Sequence, residues 1–151
     1  MDDFEQKLKE IADKIVKEAT SNDSLQNIGN EAAYLIKKRT RLGYGVSEQY
    51  GNKVKLKPLS KKYIKQRKND DLSNATTPNK SNLTKTGEML DSMNAKVKGD
   101  GVVNIGVDDN NLDKAGWVSK DRPFNNLSDA EIKQLENKIR DNLINKIKGM
   151  L

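Results

Sequence analysis

Cysteine and histidine are both absent from this chain. The first absence excludes a disulfide framework, a thiolate metal site and a thiol nucleophile. The second removes the commonest general base and the commonest metal ligand. Aromatic residues make up 5% of the sequence and apolar residues 34%, with a mean hydropathy of −0.88. So little apolar mass builds only a thin core, and part of the stability is expected from neighbouring subunits. No apolar run nears the roughly 18 residues that span a bilayer, so no membrane partner is expected. The acidic start, Met1-Asp2-Asp3-Phe4-Glu5, lacks the apolar segment of a signal peptide. These features predict a soluble protein that stays in a cytoplasm, and 151 residues predict a single domain.

Catalytic motifs are missing as well. There is no GxxxxGK[ST] phosphate loop and no GxGxxG after a strand. Serine or threonine nucleophiles would have only lysine or a carboxylate as base. Asp108-Asp109, near Asp113, offers oxygen ligands for a divalent cation and hence a metal-dependent nuclease. It lacks the alternation and closing glutamate of a calcium loop, so it reads as an acidic surface loop. Asp70-Asp71 and Asp2-Asp3 read the same way. The sequence predicts no catalytic residue, no cofactor and no metal site.

What the chain does have is charge, unevenly placed. Its 28 Lys and Arg and 22 Asp and Glu leave a net +6. Between Lys37 and Lys68 stand twelve basic residues against one acid, Glu48, a net of +11; the other sixteen basic and twenty-one acidic residues leave −5. Such polarity suits nucleic-acid contact or charge-complementary docking between subunits. Aromatics interleave with the basic residues (Arg39, Arg41, Tyr44, Tyr50, Tyr63, Arg67), so salt-sensitive phosphate binding is available without a base-reading motif. A helix-turn-helix, a finger or an aromatic sheet platform is not recognisable.

Periodicity places the elements. Phe4, Leu8, Ile11 and Ile15 share one stripe and predict an amphipathic helix over 3–19. After a turn at Thr20–Asp23, Asp23 or Ser24 is expected to cap a second helix through Leu25, Ile28, Ala32, Leu35 and Ile36 to about Arg39, stopped by Gly43 and Gly45. The two form a hairpin or a sharply bent pair. Lys53–Lys57 alternates as a half-exposed strand or an extended arm, closed by Pro58. Residues 60–68 have helical spacing, and 69–82 read as a mobile polar loop. Leu83–Met93 is a further ordered element. Ala95–Lys98 and Val102–Val107 flank Gly99-Asp100-Gly101 as a β-hairpin, followed by a polar loop over 108–114. Ser128 and Glu131 form a capping box with Leu127 and Ile132 as its staple, opening a last helix along Ile132, Leu135, Ile139, Leu143, Ile147 and Leu151.

Several stretches, in this order, resemble the tailed-phage virion-morphogenesis proteins: neck, head–tail joining and tail-completion subunits. They are Ile36-Lys37-Lys38-Arg39-Thr40, Pro58-Leu59-Ser60-Lys61-Lys62-Tyr63, and Leu83 to Met93 around Thr86-Gly87. Asn104-Ile105-Gly106, and Arg122-Pro123-Phe124 with Leu127-Ser128 before the last helix, complete the set. The match spans about residues 36–147. It departs from the family's pattern in the long polar loop and at Ala115-Gly116-Trp117. The resemblance implies an α+β fold. N-terminal helices (1–42) and a long C-terminal helix pack on a small antiparallel sheet, with a basic arm and polar loop at 46–82 and the rest at 83–151.

The resemblance also implies a virion protein, assembled in a host bacterial cytoplasm into a ring of six or twelve copies at the head–tail junction. Its partners would be a portal-side connector, tail-tube or terminator proteins, and packaged DNA in the lumen. The candidate interface or DNA-path residues are Arg39, Arg41, Lys53, Lys55, Lys57, Lys61, Lys62 and Arg67. Trp117, Arg122 and Phe124 are expected either to cover one end of the core beneath the last helix or to anchor a subunit interface. The alternative function is non-specific nucleic-acid binding through residues 37–68.

Overall fold

The computed structural model describes residues 3–69, 80–83 and 87–150. Helices α1 (Asp3–Ala19) and α2 (Asn22–Arg41) come first. Ser21, extended at φ −61° and ψ 149°, caps α2 by accepting from the Ser24 amide at 3.2 Å. The cap lies upstream of Asp23 and Ser24, because a cap needs extended backbone and those two residues are already helical. Helix α2 is the centre of the molecule. Ala32, Ala33, Leu35 and Ile36 are buried along it, whereas α1 buries none of its residues.

Two short antiparallel pairs follow. β1 (Tyr44–Gly45) pairs with β2 (Val54–Lys55), so only two residues of the alternating lysine stretch form a strand. The segment between lies down on the body. The Val46 amide donates to the Pro123 carbonyl at 3.0 Å, Tyr50 to Leu127 at 2.9 Å, and Leu56 to Gly43 at 2.9 Å. Val46 and Leu56 are buried, which anchors this basic stretch at both ends. Helix α3 (Lys61–Asn69) continues it. The expected mobile loop falls mostly at 70–79, outside the described residues; at its far end Asn82 is buried.

A single turn, α4 (Glu88–Asp91), supplies Met89 and Leu90 to the core. β3 (Asn94–Gly99) and β4 (Val102–Gly106) then form the expected hairpin, with Ala95 opposite Ile105 and an irregularity between Val97 and Gly99. Asp100 and Gly101 close it with φ of +52° and +74°, a two-residue turn whose twist matches that of the strands. The hairpin lies on α2 at Gly29, where a Cβ would stand 2.6 Å from Ala95 Cβ and Val103 Cγ2.

Residues 108–114 are not a loop throughout. Asp108 accepts from the Asn111 amide at 3.1 Å and opens a 3₁₀ turn (Asp109–Asn111) that runs into α5 (Leu112–Asp121). α5 escapes a periodicity reading because Ala115 is its only buried residue and Gly116 interrupts it. The last helix, α6 (Asp129–Met150), opens on the expected capping box: Ser128 N to Glu131 Oε2 at 2.8 Å, and Glu131 N to Ser128 Oγ at 3.2 Å.

The fold is α+β, with one core cluster of Ala33, Ile36, Met89, Leu90, Met93, Ala115 and Phe124. A second joins Ala32 and Leu35 of α2 to Leu135 of α6, and Ile105 of the hairpin packs against it. Lys138 and Glu31, at 2.9 Å, tie α6 to α2; Lys146 pairs with Glu18 of α1. Beyond Leu135, α6 buries nothing. No helix among the described residues is long and apolar enough to cross a membrane.

Candidate interaction sites

The expected basic residues divide sharply once folded. Arg39 is 6% exposed. From α2 its Nη1 reaches Glu131 Oε2 at 2.5 Å and the Asn126 carbonyl at 2.9 Å, and its Nη2 donates to the Phe124 carbonyl. It is a brace inside the molecule and is unavailable to DNA or a neighbour, correcting its expected place at an interface. A cation can be buried here because the open carbonyls ahead of α6 and the capping-box carboxylate converge on it. Burial lowers the pKa of its guanidinium, while the charge and hydrogen bond of Glu131 oppose that shift.

Arg67 is 3% exposed and so does not form part of the exposed cationic surface either. Arg41 remains exposed and pairs with Asp91. The lysines do stay outside. Lys53, Lys55, Lys57, Lys61 and Lys62 are all exposed, from the residue before β2 to the start of α3, and Lys53 sits 5.0 Å from the centroid of the Tyr44 ring. The cationic surface is thus narrower than the sequence count suggests and, apart from Arg41, made of lysine.

The three expected anchors part company. Phe124 is fully buried and fills the main cluster. Trp117 is 73% exposed on α5, so it does not cover the core; α5 turns Ala115 and half-buried Val118 inward, and Trp117 falls on the opposite face. Arg122 is a clip. Its Nε donates to the Lys57 carbonyl at 3.2 Å and Ser81 Oγ at 3.1 Å, and its Nη2 to the Pro58 carbonyl at 3.3 Å. It thereby pins the basic segment to the end of α5.

Two features escape sequence reasoning. One is apolar surface left uncovered: Phe4 (66% exposed), Leu8 and Val16 on α1, and Ile139, Ile144 and Met150 on α6. The stripes are legible, but a stripe does not reveal whether anything covers it. The other is a cavity of about 490 Å³ between α3, α5 and the Lys57–Ser60 segment. Among the described residues its charged and phenolic wall is Lys57, Tyr63, Arg67, Lys114, Asp121 and Arg122, four cations to one acid.

The Asp108 carboxylate is engaged as a cap, accepting from Asn111 Nδ2 at 2.6 Å as well as from its amide. Among the described residues, no three Asp or Glu side chains converge as a metal site would require. No family model, no curated protein and no solved structure matches the chain.

Proposed function

We propose that this chain is a structural subunit of a tailed-phage virion, a neck or tail-completion protein that forms a ring at the head–tail junction and helps join tail to head. The observation that carries the reading is the uncovered apolar surface. Helix α1 buries nothing, the distal part of α6 buries nothing, and Trp117 stands in water. Surface of this kind on a chain with so thin a core marks contact with other protein. Exposed apolar residues on more than one element, on α1, on α6 and on α5, suit the head-to-tail contacts from which rings close. The order of the motifs from Ile36 to Ile147 supports the same reading. Its partners would be further copies of itself, a portal-side connector and tail-tube or terminator proteins.

Sedimentation and negative-stain microscopy of the purified protein test it, alone and mixed with connector and terminator proteins. Rings of six or twelve copies, formed alone or on a partner, are expected. A protein that stays monomeric and binds neither partner would sink the proposal.

A second reading, non-specific nucleic-acid binding, is favoured by the exposed strip of Lys53, Lys55, Lys57, Lys61 and Lys62. In a ring the same strip would face packaged DNA in the lumen. Absence of binding to duplex DNA at low salt would exclude both uses.

A further inference from the structure

The cavity between α3 and α5 contains a guanidinium with an unmet demand. Arg67 Nη1 donates to the Lys80 carbonyl at 3.0 Å, and the Tyr63 ring centroid lies 6.0 Å from its guanidinium carbon. Nε and Nη2 have no hydrogen-bond partner, and both are buried. Those two nitrogens form the side edge of the guanidinium, whose parallel N–H groups match the two oxygens of a carboxylate. Among the described residues no acid pairs with Arg67, although a buried cation ordinarily has a counter-charge.

The surroundings select for an anion of a particular kind. Lys57, Lys114 and Arg122 line the same cavity, with Asp121 as the one acid among the described residues. Leu59, Met89 and Val118 supply apolar wall beside them. Cations around an unsatisfied guanidinium attract an acid, and the apolar wall accommodates a hydrocarbon side chain next to it. Among the described residues the wall has no flat aromatic platform for a base: Tyr63 is its single ring and already faces Arg67.

We propose that this cavity is a docking site for an acidic peptide segment of another protein, taking one Asp or Glu carboxylate on the Nε–Nη2 edge of Arg67 and a neighbouring apolar side chain against Leu59, Met89 and Val118. Since neither nitrogen has accessible surface, the side chains around them move aside as the carboxylate enters. The assignment does not depend on ring formation.

The test uses the full chain, isotopically labelled, titrated with acetyl-Leu-Glu-Leu-amide and with its Gln counterpart and followed by NMR. The Glu peptide should perturb Tyr63, Met89 and Val118, and the Gln peptide should bind about tenfold more weakly. Arg67→Lys, which keeps the charge and loses the two-pronged edge, should weaken the Glu peptide by a similar factor. If that variant does not fold, Lys114→Gln replaces it and should narrow the Glu-to-Gln preference. Equal binding of the two peptides, no perturbation at these residues, or no effect of the variant that folds would each overturn the assignment. So would a short DNA duplex that displaces the Glu peptide and binds more tightly at the same residues.

Discussion

Arg39 and Glu131 lie 92 positions apart in sequence and meet at 2.5 Å, where the cation of α2 takes the carboxylate that also closes the capping box of α6. One glutamate side chain thus performs a local task and a global one. It satisfies the Ser128 amide at the start of its own helix, and it locks that start to the central helix. The Phe124 and Asn126 carbonyls complete the arrangement by accepting from the same guanidinium, so the turn before α6 is held to α2 as well.

Removing the cation should therefore cost far more than a surface ion pair does. Arg39→Met leaves the Glu131 carboxylate and two carbonyls without their donor. It is expected to lower the unfolding free energy by about 3–5 kcal/mol, the range for breaking one side of a buried pair. Urea unfolding followed by circular dichroism measures it. A loss no larger than that of Arg41→Met, whose pair with Asp91 is exposed, would refute the role given to Arg39.

Phe124 and Trp117 should respond in opposite ways. Phe124→Ala empties the main cluster and is expected to cost about 3–5 kcal/mol in thermal or chemical unfolding. Trp117→Ala should change monomer stability by no more than about 0.5 kcal/mol, because the ring touches mostly water. In sedimentation it should weaken self-association or partner binding. A tryptophan whose removal leaves assembly intact is not an interface anchor.

Glycine replacements separate close approach from mere flexibility. Gly29→Ala places a methyl 2.6 Å from two hairpin side chains and is expected to destabilise by about 1–3 kcal/mol, outweighing the gain in helix propensity. Gly116→Ala meets no atom within 4 Å and sits inside α5, so it should stabilise by roughly 0.5–1 kcal/mol. Melting temperatures of the two variants give both signs in one experiment.

If the lysine strip binds duplex DNA, affinity will fall steeply with added salt. Replacing Lys53, Lys55, Lys61 and Lys62 with Ala should then flatten the plot of log affinity against log salt by roughly 0.9 for each phosphate that is no longer neutralised. Replacing Arg39 would not flatten it, since that side chain is already committed inside the fold. Fluorescence anisotropy at several salt concentrations distinguishes the two.

Local features are open to reading because their causes are local. The capping box of α6, the Asp100-Gly101 turn and the amphipathic stripes each depend on residues within a few positions of one another. The cap of α2 is harder to place because four consecutive residues, Ser21 to Ser24, all have side chains able to cap. Backbone conformation alone chooses Ser21. Helix α5 has too few inward residues to register, since only buried Ala115 and half-buried Val118 hold it to the core.

The candidate site is legible in composition and illegible in detail. Residue identities are enough to establish that this chain has no histidine or cysteine chemistry, that its charge is concentrated between residues 37 and 68, and that its helices carry apolar stripes. They do not sort the arginines. Arg39, Arg41 and Arg67 are chemically identical side chains in one basic run, yet the first is buried against Glu131, the second pairs with Asp91 in water, and the third is buried with an open edge. That division arises on folding, because the environment of each guanidinium is set by residues brought together from distant parts of the chain.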